Sequence, residues 1–97
     1  MEVSASKLTK EIIKYCLLRG HYVVRVNNIP GTKFRANTLT KGVADIMGCT
    51  KDGTALAIEV KTSDKQSIFQ KEFENHYDSR GGIYILARKL EDVTEVI

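Results

Sequence analysis

Residues 54–62 read Thr-Ala-Leu-Ala-Ile-Glu-Val-Lys-Thr, and their alternation is the feature of this chain most suggestive of chemistry. Side chains alternate across an extended strand, so Leu56, Ile58 and Val60 share one face and suit a core. Ala55, Ala57, Glu59 and Lys61 share the other. That second face carries a carboxylate and an ammonium beside small alanines that leave open space.

Asp45 brings a second carboxylate, provided the hairpin before it has the right register. Residues 43–50 read as a strand joined to 54–62 by Lys51-Asp52-Gly53. If this is a three-residue loop with Gly53 in the left-handed region, Thr50 pairs with Thr54 and Asp45 falls opposite Glu59. A two-residue Asp-Gly turn would instead pair Asp45 with Val60 and throw the carboxylates onto opposite faces. The first register is preferred because it gathers Val43, Asp45 and Met47 on one face and leaves Ile46 beside Ile58 for the core.

Directly opposed carboxylates repel, and a hard divalent cation relieves the repulsion. Magnesium takes oxygen ligands, using one or two carboxylates and keeping several waters. Such an ion stabilises charge on phosphoryl oxygens and acidifies a bound water. Lys61 adds a positive charge near the attacking water or the phosphate. Glu-x-Lys by itself is equally compatible with a solvated strand face, so the weight rests on its combination with Asp45 and on the elements around it.

Those elements follow from periodicity. Residues 4–19 space Leu8, Ile12 and Cys16 by four, with Ile13 and Leu17 alongside, which predicts a helix ended by Gly20. Residues 21–27 alternate as a strand, with Tyr22, Val24 and Val26 on one face. Residues 28–42 have no sustained period, carry Pro30, Gly31 and Gly42, and read as a long exposed loop, a feature that is often functional. A second helix is expected over about 67–79, with Phe69, Phe73 and Tyr77 spaced by four and Gly81-Gly82 as its stop. Residues 83–87 suit a buried strand, while 92–97 are too few to assign. The order predicts an α/β fold with a mixed sheet flanked by helices.

Composition sets the bounds. A chain of 97 residues with 42% hydrophobic and 28% charged residues is expected to form one globular domain over 1–97. No stretch is long and apolar enough for a membrane span, and the first residues lack a secretion-signal pattern, so a cytosolic location is expected. Cys16 and Cys49 lie in apolar segments and are expected to be free thiols. His21 and His76 are far apart in sequence, which argues against a zinc site. Nothing calls for an organic cofactor. The net charge of +3 hints at a polyanionic partner.

Taken together, Gly42-Val43-Ala44-Asp45-Ile46-Met47-Gly48, Ala57-Ile58-Glu59-Val60-Lys61, Gln70 and Gly81-Gly82 resemble the PD-(D/E)XK nuclease superfamily, and within it the small VRR-NUC branch. The resemblance covers nearly the whole chain and implies a restriction-endonuclease-like αβββαβ core. It implies that Asp45 and Glu59 bind Mg2+ or Mn2+ with help from the Val60 carbonyl, and that Lys61 assists catalysis. It places Gln70 near the metal and its waters, while Ser67-x-x-Gln70 also fits a helix capping box. Ala44 stands where the superfamily usually has proline. The family's acidic residue on the first helix has Glu11 as its candidate, with Glu2 just before the helix. Counted back from Gly20, however, the usual position falls near Ala5 and Lys7.

The function implied is a DNA endonuclease of small stand-alone phage or bacterial type, in the cytoplasm of a bacterial or phage-infected cell. Such members act as homodimers on branched, four-way DNA. Arg25, Lys33, Arg35 and Lys41, at the end of the first strand and in the loop, are the candidate phosphate contacts, which contribute affinity but no sequence reading. Two alternatives come from other classes: a non-catalytic DNA-binding module, or an assembly subunit of a restriction or replication complex.

Overall fold

The computed structural model describes residues 4–26 and 42–97. Ser4 opens helix α1 (Ala5–Leu18), its hydroxyl accepting the Lys7 N–H at 3.1 Å. That bond satisfies one of the amides a helix start leaves without a partner. The stripe of Leu8, Ile12 and Cys16 is the face α1 buries. Strand β1 (Tyr22–Arg25), strand β2 (Ile46–Cys49) and strand β3 (Ala55–Val60) follow. Helix α2 (Ile68–Ser79) then leads to strand β4 (Ile83–Ala87) and a single-turn helix, α3 (Glu91–Thr94). The expected element order is present, with α3 added over residues too few to show a period. Its Val93 is fully buried, so hydrophobic anchoring holds this short turn in place.

The four strands form one sheet in the order β1-β2-β3-β4. The first two pairings are antiparallel, while β3 and β4 run parallel and are joined through α2. Within the hairpin, the Thr50 N–H donates to the Thr54 carbonyl at 2.8 Å and the Gly53 N–H to the Thr50 carbonyl at 2.9 Å. Gly53 has φ +90°, so the three-residue loop is the one adopted. Ile46 pairs with Ile58 and Met47 with Ala57. One further step sets Asp45 opposite Glu59.

The strands are shorter than their alternation suggests. β2 starts at Ile46 and not at residue 43. Asp45 still accepts the Val26 N–H through its carbonyl at 2.7 Å. Its carboxylate Oδ2 accepts the Val60 N–H at 2.9 Å, standing in for a backbone carbonyl.

One face of the sheet makes the core. Val23, Ile46, Leu56, Ile58, Val60, Ile85 and Ala87 pack against Leu8, Ile12 and Cys16 of α1 and Val93 of α3. Each large side chain fully buried here contributes roughly 1.5–3 kcal/mol. α2 covers the opposite face on the β4 side, where the Phe73 ring lies 6.0 Å from Tyr84 and 4.9 Å from Tyr77. The expected stripe of Phe69, Phe73 and Tyr77 is only partly buried, because α2 rests mainly on β4 and buries no residue completely. Both cysteines are free thiols, and burial pushes Cys16 up to about 11.

Candidate active site

Where β1 and β3 leave the sheet and β2 enters it lies a cleft of about 310 Å3. Asp45, Glu59, Val60 and Lys61 line it from the hairpin, and Arg25 from the end of β1. The first turns of α1 supply a further wall through Ala5, Ser6 and Thr9, and residues 62–64 form the rim.

Glu59 is only 4% exposed. Its Oε2 accepts a hydrogen bond from Gln70 Nε2 at 2.8 Å and Asp45 is the carboxyl's other close polar neighbour, whereas its Oε1 is buried without a hydrogen bond of ordinary geometry. Burial, then the charge of Asp45, push the Glu59 carboxyl up to about 7, with Lys61 pulling the other way. A buried acceptor without a partner costs free energy, so it requires a reason. The donor set supplies one: an unsatisfied carboxylate oxygen beside a second carboxylate suits a hard divalent cation, which takes oxygen ligands and retains waters. No group of three or more His, Cys, Asp or Glu gathers among the described residues. Asp45 and Glu59 are therefore a pair and not part of a larger cluster of such residues among those described.

Gln70 is fixed by its own helix. The Ser67 N–H donates to Gln70 Oε1 at 2.8 Å, and the Gln70 N–H to Ser67 Oγ at 3.1 Å, a complete capping box. With the amide oxygen taken by the cap, the amide nitrogen is the end that reaches Glu59. The capping bond and the contact with the site coexist.

The structure brings Asp45, Glu59, Val60, Lys61 and Arg25 to one cleft, with Gln70 bonded to Glu59 from behind. It does not bring Glu11 there. Thr9 lines the cleft, and residues two apart on a helix project from opposite sides, so Glu11 points elsewhere. Ala5, Ser6 and Thr9 occupy that wall instead. Lys33, Arg35, Lys41 and Glu2 lie outside the described residues. Residues 62–64 and the α1 wall escaped the sequence reading, because their place depends on how a helix start and a strand exit meet in space. The only hint was the count back from Gly20, which fell on Ala5 and Lys7.

The arrangement is an α/β fold with a four-stranded mixed sheet, helices on both faces and an acidic cleft at the strand ends. Among solved structures, it is similar to one described as a VRR_NUC domain, with a TM-score of 0.70 over 95% of this chain and 91% of that one. The two sequences are 16% identical, so the likeness is one of fold. No family model matches the chain, and no curated protein matches its sequence.

Proposed function

We propose that this chain is a metal-dependent DNA endonuclease that hydrolyses phosphodiester bonds with Mg2+ or Mn2+, acting as a homodimer on branched or four-way DNA. The observation that carries the reading is Glu59 Oε1, buried beside Asp45 without a hydrogen bond of ordinary geometry, on a fold shared with a VRR_NUC domain. Asp45, Glu59 and the Val60 carbonyl are the residues that would hold the cation. When bound, the ion supplies positive charge to phosphoryl oxygens and acidifies a water.

The remaining roles belong to the chain's own side chains. Gln70 holds Glu59 Oε2, while Oε1 is left buried for the cation to meet. Lys61 contributes an ammonium to the same cleft, where charge develops on the phosphate. Arg25 at the cleft wall, with Lys33, Arg35 and Lys41, engages backbone phosphates. The test is incubation with linear, flapped and four-way DNA in magnesium, manganese or chelator. Cleavage that needs the cation and favours the branched substrates supports the reading. Strong cutting in chelator, or binding without cutting under every condition, refutes it.

A further inference from the structure

Lys61 and the three residues after it line the cleft, yet they lie beyond the end of β3. Chain that leaves a sheet gives up the ladder that fixes strand residues, and its backbone groups need other partners. A side chain used in chemistry also needs a rigid support. β4 and the residue after it supply both. The Lys61 N–H donates to the Ala87 carbonyl at 3.0 Å. Arg88, next in sequence, reaches back with its guanidinium: Nη1 donates to the Lys61 carbonyl at 3.0 Å and Nη2 to the Asp64 carbonyl at 3.0 Å. Both polar groups of the Lys61 backbone are thus held by two consecutive residues. Arg88 is itself secured, since the Asp92 carboxylate accepts its N–H at 2.8 Å and that of Lys89 at 3.2 Å.

We infer that Arg88 is the positioning residue for Lys61, gripping the 61–64 turn at both ends and fixing the rim of the cleft. This inference rests on the nuclease reading of the cleft and on the role given there to Lys61. The residue type suits the task. A guanidinium presents several N–H donors in a planar fork and can reach two carbonyls together, whereas an ammonium is a point charge on a flexible stem. Bonds from an ionised donor are also roughly twice as strong as neutral ones. An exposed arginine near a polyanion site has a competing use, direct contact with a phosphate. Here both Nη atoms are already engaged on the protein's own carbonyls, which favours support over docking.

The experiment compares wild type with Arg88→Ala and Arg88→Lys in three measurements. These are single-turnover cleavage of four-way DNA, DNA binding with calcium replacing magnesium, and amide hydrogen exchange at Lys61. That amide is hydrogen-bonded to the Ala87 carbonyl at the start of the gripped turn, and exchange reports local opening. Arg88→Ala should slow cleavage roughly 10- to 100-fold, the scale of a small misplacement of reacting groups. Affinity should stay within about threefold, since positioning adds no phosphate contact. Exchange at Lys61 should accelerate about tenfold or more, the mark of a locally released turn. Arg88→Lys should recover part of the rate. Unchanged exchange at Lys61 overturns the inference. So does a preserved rate with weaker binding and a salt slope lower by about one, the behaviour of a phosphate contact. If wild type cuts no DNA, the nuclease reading falls by itself, and the exchange data still decide whether Arg88 holds the turn.

Discussion

Two demands meet at Glu59. Its surroundings leave it 4% exposed, while Asp45 across the hairpin adds a like charge. Both disfavour the carboxylate and raise its pKa to about 7. The sign for stability follows from linkage. In the unfolded chain Glu59 titrates near its ordinary value of 4.5, so between 4.5 and 7 the folded protein holds a proton that the unfolded chain has released. This contribution is fully present below about 4.5 and is lost as pH rises through about 7. Metal-free Glu59→Gln, which carries no charge, should therefore match wild type at acid pH. It should be more stable by about 1–3 kcal/mol at pH 8. Urea melts of both proteins across that range check it, and a variant less stable than wild type at pH 8 would contradict the account. Cation binding to wild type should also release close to one proton below pH 7 and fewer above it.

At the scale of elements, the site depends on where α2 begins. Gly42 has φ +83°, and a Cβ placed there would meet the Phe69 carbonyl oxygen at 2.3 Å and the Gln70 nitrogen at 2.7 Å. The chain entering β2 therefore lies directly on the helix turn that aims Gln70 at Glu59. Gly53 has a similar φ of +90° but has nothing within 4 Å of its Cβ position. Gly53→Ala should cost only the backbone strain, about 1–2 kcal/mol. Gly42→Ala should cost clearly more, and should slow cleavage as well, because the clash is with backbone and pushes α2 outward. Denaturant melts of the two variants decide this, and equal losses would show that the contact at Gly42 has no energetic weight.

Much of this level was readable beforehand. The alternation of 54–62, the Lys51-Asp52-Gly53 loop and the Ser67-Gln70 cap are local patterns, so the register and the helix start could be deduced. The wall made by Ala5, Ser6 and Thr9, the contact at Gly42 and the grip of Arg88 on residues 61–64 could not. Each joins segments distant in sequence, and no periodicity records such a meeting.

For the molecule as a whole, charge and shape both bear on the partner. Arg25 stands at the cleft in a chain of net charge +3, as expected for a surface that meets phosphates. β1 is an edge strand of the sheet, and Tyr22 and Val24 on it, with Val26 just after it, are exposed, Tyr22 by 64%. A homodimer forms part of the proposed function, since a two-fold pair would offer two equivalent clefts to the two equivalent strands of a four-way junction. Light scattering at micromolar concentration should return twice the chain mass of 10.9 kDa. A clean monomer would argue for asymmetric substrates such as flaps. No described helix is long and apolar enough to cross a membrane.

The most direct test of the central claim is single-turnover cleavage of four-way DNA at saturating protein with magnesium, run in parallel on wild type, Glu59→Gln and Lys61→Ala, with binding measured in calcium. Glu59→Gln keeps the shape of the side chain and its reach to Gln70 while removing the charge that would hold the cation. The expected result is cutting by wild type and no detectable cutting by Glu59→Gln. Lys61→Ala should be slower by about two to three orders of magnitude, the loss of roughly 3–4 kcal/mol of transition-state stabilisation. DNA affinity should be nearly unchanged in both variants. Cutting by Glu59→Gln at the wild-type rate would contradict the account, because the cleft at Asp45 and Glu59 would then not be where the bond is broken.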